Sequence, residues 1–427
     1  MRRRAELHGR TGEVLERLRG EQPLRLEDLE ALAHHFGRSE QKLKGARYTV
    51  AAGDWARSIY ANDDAIRHYE MALETLPPGE VGERERLAVR ERLGDLRGLS
   101  GRRSEAAEHY ETVRRAAEAS GDAAVAARQC RKLAGLYWEA GERDRAQASL
   151  DTGLQILGTN TEDIELAHLY QEMGRLAFRS GDNQRAVEWA GRALARAEQI
   201  ADSAVAGGDT KKDAALAIAH ALNTVGVALA RLGDPVAAVA RIERSVAVAQ
   251  EQGLLNVACR SYANLGVLYS ELDPGRSIET CLTGLETARK IGDLGFQSRL
   301  YANLAVAYCA LTDRCDEDGV RAAEAAIDLD RRLGQIDHLA VPLIVLGQIY
   351  QCHGEPDRAL AYYHEALGLA EEIGEPQLLF PCYDGLGTVH LDRGDQVEAE
   401  RYLLKAEAIC EQAGGDRDSL VVLPFLT

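Results

Sequence analysis

Apolar and small residues recur along the chain at helical spacing, and the pattern itself repeats. A leucine-like residue followed by Gly or Ala returns eight times, at Leu93/Gly94, Leu133/Ala134, Met173/Gly174, Val225/Gly226, Leu265/Gly266, Leu304/Ala305, Leu346/Gly347 and Leu386/Gly387. Counted between the small residues, the intervals are 40, 40, 52, 40, 39, 42 and 40. A period in this range marks a solenoid, in which each unit is one supersecondary element that cannot bury its apolar face alone.

The clearest copy runs through Leu346, Gly347, Tyr350, Gly354, Ala359, Tyr363 and Ala366. Leu346 and Tyr350 stand at i and i+4, one face of a first helix. Gly354, Glu355 and Pro356 then predict a break, because Gly favours a helix end and Pro is tolerated at the next helix start. Ala359, Tyr363 and Ala366 mark one face of a second helix. Gly347 and Ala359 are expected to be small because two antiparallel helices cross closely there.

The same signature is met by Ala134, Ala146, Leu150 and Gly153; by Gly174, Ala186, Ala190 and Ala193; by Gly226, Ala238, Ile242 and Ser245; and by Gly387, Ala399, Leu403 and Ala406. Two copies vary in the turn: the Gly266 copy is one residue short (Ser277, Cys281, Gly284) and the Ala305 copy two longer (Gly319, Ala323, Ala326). This pattern resembles the tetratricopeptide repeat. The resemblance implies an all-α fold, a right-handed α-α superhelix of about eight repeats, with first helices lining a concave groove. The usual repeat is about 34 residues, so roughly six more add about 9 Å of helix at about 1.5 Å per residue. Long-helix repeats of this kind are similar to those of kinesin light chain, cell-polarity scaffolds and bacterial signalling regulators.

Three segments are expected: 1–79, helical with degenerate repeats; 80–419, the repeat solenoid; and 420–427, an apolar cap or the start of a truncated helix. In the first, Leu32, Ala33 and Phe36 followed by Gly45, Thr49 and Ala52 read as a degenerate repeat, with Trp55, Ile59, Tyr60, Ala65, Tyr69 and Ala72 after it. The wording from "LAHHF" to "AAGDWARSIYANDDAIRHYEMAL" resembles the stretch that opens the repeat region of large bacterial regulators of the STAND class. There an ATPase module, often with a cyclase or DNA-binding domain, precedes the repeats. The resemblance therefore implies a sensor or scaffold part, freestanding or a piece of a larger regulator. In the last segment, Leu420 to Leu426 is almost wholly apolar and is expected to cover the last repeat, since solenoid ends need a cap.

Composition narrows the function. Aromatics are only 5%, as expected where helices pack tightly on small residues. No apolar run approaching the roughly 18 residues that span a bilayer is expected, and no signal-peptide core follows Arg2, Arg3 and Arg4. A cytoplasmic protein without membrane association is expected. The eight cysteines lack CxxC spacing and read as reduced packing thiols, with no metal site. A net charge of -17 argues against nucleic acid, whose phosphates require a basic surface. Gly207, Gly208, Asp209, Thr210, Lys211 and Lys212 lack the spacing of a phosphate loop and read as an enlarged loop in the 52-residue interval. No catalytic constellation and no cofactor motif is found.

Two neighbouring first helices are nearly identical: Arg260, Tyr262, Asn264, Leu265 and Gly266 match Arg299, Tyr301, Asn303, Leu304 and Ala305. Asn264 and Asn303 repeat one unit apart, with Asn223 one position earlier in the preceding unit. An amide can donate to a peptide carbonyl and accept from a peptide N–H at once, so a ladder of them suits an extended chain. Peptide-binding repeat proteins, which the sequence resembles, use Asn at this position. Basic groups accompany the ladder: Arg128, Arg131, His168, Arg175, Arg179, His220, Arg231, Arg260 and Arg299. Against an acidic background such a stripe focuses potential on acidic ligands. Glu139 and Glu271 lie near it and would offset part of the charge. The expected partner is a protein or peptide, acidic or extended; the alternative is a small molecule or signalling peptide that the superhelix senses to control an ATPase, cyclase or transcription output. Self-association is compatible with either reading, and neither is enzymatic.

Overall fold

The computed structural model describes residues 2–20, 24–59, 61–203, 207–311, 314–333, 336–374 and 376–412. Among them the chain is all-helical, without strand. Four helices come first: α1 (Arg2–Arg19), α2 (Leu26–Gly37), α3 (Lys42–Ser58) and α4 (Asn62–Thr75). The eight expected repeats follow as helix pairs: α5 (Glu80–Leu99) and α6 (Arg103–Ser120), α7 (Ala123–Glu139) and α8 (Arg143–Leu157), α9 (Glu165–Arg179) and α10 (Asn183–Asp202), α11 (Gly208–Arg231) and α12 (Pro235–Glu251). Then come α13 (Leu255–Leu272) and α14 (Pro274–Lys290), α15 (Leu294–Cys309) and α16 (Val320–Leu333), α17 (Ile336–Cys352) and α18 (Pro356–Ile373), α19 (Pro376–Asp392) and α20 (Gln396–Gln412). A π-helical turn, Cys315–Gly319, occupies the longer connection before α16. The apolar segment 420–427 lies outside the described residues.

The helices group into two compact units, Met1–Leu169 and Tyr170–Thr427. In the first unit each helix from α1 to α8 packs on the next. From α10 to α20 the second unit does the same, and α11, α13, α15, α17 and α19 also touch one another in succession. One continuous apolar core runs from Phe178 to Ala406. This is a stack of helix pairs, each burying its face against its neighbours.

The turns have a common chemistry. Gly354 adopts φ +71° after α17, a left-handed conformation that a Cβ disfavours. It allows the Glu355 N–H to reach back to the Tyr350 carbonyl at 2.8 Å, closing the helix end. Elsewhere an aspartate caps the next helix: Asp182 accepts from the Arg185 N–H at 3.1 Å and Asp234 from Ala237 at 3.0 Å, each satisfying an otherwise orphaned donor.

Gly94, Gly226, Gly266, Gly347 and Gly387 of the first helices each face a side chain of the second. A Cβ on Gly347 would meet the Tyr363 ring at 2.7 Å, and one on Gly94 the Tyr110 ring at 2.5 Å. The glycine therefore accommodates a ring, rather than simply pairing with Ala359 as the spacing suggested. The same crossing occurs in the amino-terminal segment, where a Cβ on Gly53 would meet the Tyr69 ring at 2.6 Å. Tyr69 then donates to Asp54 at 2.6 Å and Tyr110 to Asp95 at 2.9 Å. The α3/α4 pair is thus built like the later repeats. Its marker is hidden in the sequence because Ala52 stands where the other copies carry a leucine-like residue.

The 52-residue interval resolves differently from expectation. Gly208 to Lys212 form no loop but the first turns of α11, which at 24 residues is the longest helix of the set. An alanine-rich run continues the helix more cheaply than a coil. This helix is also long and apolar enough to span a bilayer by composition, yet 78% of its apolar window is buried within the protein. Its apolar character belongs to packing on α10 and α12.

Two glycine substitutions separate these effects. Gly347→Leu is expected to lower stability by about 1–3 kcal/mol through overpacking against Tyr363. Gly191, within α10 with open space where a Cβ would go, is expected to gain about 0.4–1 kcal/mol on change to Ala. Urea unfolding of both variants checks the pair, and a neutral Gly347→Leu would show that the crossing is loose.

Candidate binding site

The asparagine ladder exists, but it faces inward. Asn264 is 0% exposed, Asn223 3% and Asn303 5%. The Asn264 amide, on α13, donates to Asn223 Oδ1 on α11 at 3.0 Å. Asn303, on α15, donates to the Ala263 carbonyl at 2.8 Å, using the second lone pair of a helical C=O. These amides tie successive first helices to one another and present no open row to a peptide. The physical reason is the crossing distance: beside Gly266 and Ala305 the helices approach too closely to leave a channel, so the adjoining polar side chain must bond within the protein. Buried hydroxyls act alike. Ser245 donates to the Ala219 carbonyl at 2.7 Å, and Ser277 to Gly266 at 2.7 Å.

The basic stripe divides according to its neighbours. In the first unit Arg128 pairs with Glu91 at 2.9 Å, and Lys132 reaches both Glu91 at 2.9 Å and Asp95 at 2.6 Å. Arg131 pairs with buried Glu165 at 2.5 Å. Burial pushes the Glu91 carboxyl up, but Lys132 and Arg128 outweigh it and hold the group below the usual carboxylate range. His168 is buried and engaged by neighbouring groups. These charges are committed to holding repeats together.

In the second unit Arg175 pairs with Glu172 at 2.5 Å, Arg299 contacts His338 Nε2 at 2.8 Å, and the Arg231 guanidinium lies over the Phe178 ring at 4.2 Å. His220 is half-buried and also engaged. Arg260 is different. It is half-buried, and among the described residues it has neither an ion pair nor a hydrogen bond. Burial, together with the charges of Arg175, Arg299 and Arg179, pushes its pKa down to about 10, with Glu172 only partly offsetting them. It stays charged at neutral pH, in the field of three other guanidinium groups. Such a centre attracts an anion, since a carboxylate can take two parallel N–H donors from one arginine.

The acids that neutralise the stripe, Glu91, Glu165 and Glu172, escaped the sequence reading. Glu139 instead pairs distantly with Arg103, at 3.8 Å, and the Glu271 side chain lies outside the described residues. Spacing could have indicated Glu172, three residues before Arg175 on one helix face. Glu91 and Glu165 act across 34 to 37 residues, where no local rule points.

Stacked helix pairs with glycine crossings define an α-solenoid. Residues 346–412 match the tetratricopeptide repeat family model. Its fold is similar to that of the signal-transduction ATPase with numerous domains and a tetratricopeptide-repeat sensor from Pyrococcus horikoshii, at 13% identity and a TM-score of 0.58. That match covers 91% of this chain and 55% of the other, so the chain spans about half the length of that protein. A Rap protein complexed with competence and sporulation factor is similar over 87% of this chain and 94% of its own, at 14% identity and a TM-score of 0.54. Aspartyl phosphate phosphatase F from Bacillus subtilis covers 87% and 95%, at 11% identity and a TM-score of 0.52. At these identities the likeness is one of fold. No curated protein sequence matches the chain.

Because Asn264 is a structural residue, Asn264→Ala is expected to destabilise the protein by about 1–3 kcal/mol, the usual penalty for stripping a partner from a buried polar group. Urea denaturation checks it; unchanged stability would return the side chain to a surface role.

Proposed function

We propose that the protein is a non-enzymatic regulatory interaction module that holds an acidic, extended segment of a partner protein on the first-helix face of its second unit. Arg260 carries this reading: a half-buried guanidinium without an ion pair among the described residues, set among Arg175, Arg179 and Arg299. A carboxylate entering there relieves repulsion among like charges as well as gaining hydrogen bonds. The overall charge of -17 turns acidic partners away from the rest of the surface, which favours capture at this one basic centre.

A second reading makes the ligand a free signalling peptide that controls an attached or associated ATPase, cyclase or transcriptional output. The solved relative in complex with competence and sporulation factor, and the one described as a sensor, favour it. The two readings share the site and differ in whether the ligand is part of a protein.

Fluorescence anisotropy with a labelled oligoglutamate peptide tests the site. Arg260→Gln is expected to weaken binding about tenfold or more, since a charge-assisted hydrogen bond contributes about 1.5–3 kcal/mol. Arg128→Gln, whose guanidinium already faces Glu91, is expected to leave affinity nearly unchanged. Equal losses at both positions, or equal binding of an uncharged peptide, would overturn the assignment.

A further inference from the structure

A cysteine and a histidine side chain meet at the π-helical turn before α16. The π-helical turn opens with Cys315, which is 4% exposed. Its sulfur lies 2.8 Å from Nε2 of His353. The residue before His353 is Cys352, an exposed thiol, and consecutive Cα atoms are about 3.8 Å apart. The turn also packs directly on α17, which ends at Cys352. Cys309, half-buried at the end of α15, is near enough to both sulfurs for their charges to act on it. A π-helical turn widens the backbone, a distortion found mostly at functional positions. Here it occupies the connection that is two residues longer than in other repeats.

We propose that Cys352 and Cys315 form a peroxide-reactive thiol pair, in which Cys352 is oxidised first and Cys315 resolves it with His353 as proton acceptor. Exposure decides the order: peroxide reaches Cys352, whereas Cys315 is covered. In the first step the Cys352 sulfur attacks hydrogen peroxide, an S–O bond forms, the O–O bond breaks, and water leaves with the thiol proton. In the second, the Cys315 thiol passes its proton to His353 Nε2 and attacks the Cys352 sulfenic sulfur. The S–S bond forms, the S–O bond breaks, and the hydroxyl leaves as water with the proton carried by His353. The balance is two thiols and one peroxide to one disulfide and two waters.

The burial of Cys315 excludes a bulky substrate from its sulfur, so the Cys315/His353 pair is suited to attack on an adjoining sulfur rather than on a diffusing ligand. A metal-binding alternative is disfavoured by geometry, because among the described residues no three His, Cys, Asp or Glu side chains converge closely enough to hold an ion. The resulting disulfide joins the turn before α16 to the end of α17, clasping two successive repeats covalently. Because it draws on neither Arg260 nor its neighbours, it stands apart from the peptide-binding reading.

The test uses the full chain, reduced and then exposed to hydrogen peroxide, followed by alkylation and peptide mass spectrometry. The expected product is a Cys315–Cys352 cross-linked peptide that dithiothreitol reverses. In Cys315→Ser, Cys352 is expected to proceed to sulfinic acid. In His353→Gln, an exposed change that leaves the core intact, sulfenic acid at Cys352 trapped by dimedone should form at the normal rate while disulfide closure slows about tenfold or more. A Cys309–Cys352 link, an intermolecular Cys352 disulfide, or sulfinic acid in the unaltered chain would overturn the pairing. Closure at the normal rate in His353→Gln would overturn the role of His353.

Discussion

Everything in this architecture depends on how closely two antiparallel helices can cross. At Gly347 the absence of a Cβ lets the Tyr363 ring lie against the backbone of α17, and Gly385 of the following repeat gives it the same clearance from α19. One side chain thereby spans three helices, at 1% exposure. Dispersion contacts are individually tiny and add up only at close range, so the glycines convert a single aromatic into the joint between two repeats. Where Gly53 and Gly94 meet Tyr69 and Tyr110, the same device recurs in the first unit.

Close approach also determines the fate of polar groups. Where helices pack on Gly and Ala, a buried polar side chain needs a partner within the protein. Asn264, Asn303, Ser245 and Ser277 all do so. The residues that look most like ligand contacts by position are therefore the ones that hold the stack in register. A hydrogen bond of this kind adds little net stability, but losing one of its partners is expensive, which makes it a strong determinant of which helices may neighbour one another.

Charge follows a different rule, because long basic side chains reach out from the crossing. Whether such a group is available depends on the acid opposite. Arg128, Arg131 and Lys132 meet Glu91, Asp95 and Glu165 and serve as struts. Around Arg260, Glu172 offsets part of the field of Arg175, Arg299 and Arg179. The same residue type at equivalent positions is thus paired across repeats in the first unit and, at Arg260, set among other arginines in the second.

The sequence by itself determined the period, the helix pairs and their turns, because a Gly or Ala every 40 or so residues, a Gly-acid break and i, i+4 faces are local facts with local causes. It also placed Arg260 and Asn264, at i and i+4, on one helix face. Tertiary structure decided the rest. Burial turned the asparagines inward, since crossing distance is a property of two helices rather than one. Partners 34 to 37 residues away neutralised the first-unit arginines. The α11 extension became helix because α10 and α12 offered its apolar face a place to pack. And Cys315 and His353, 38 residues apart, met only because the turn before α16 packs on the end of α17.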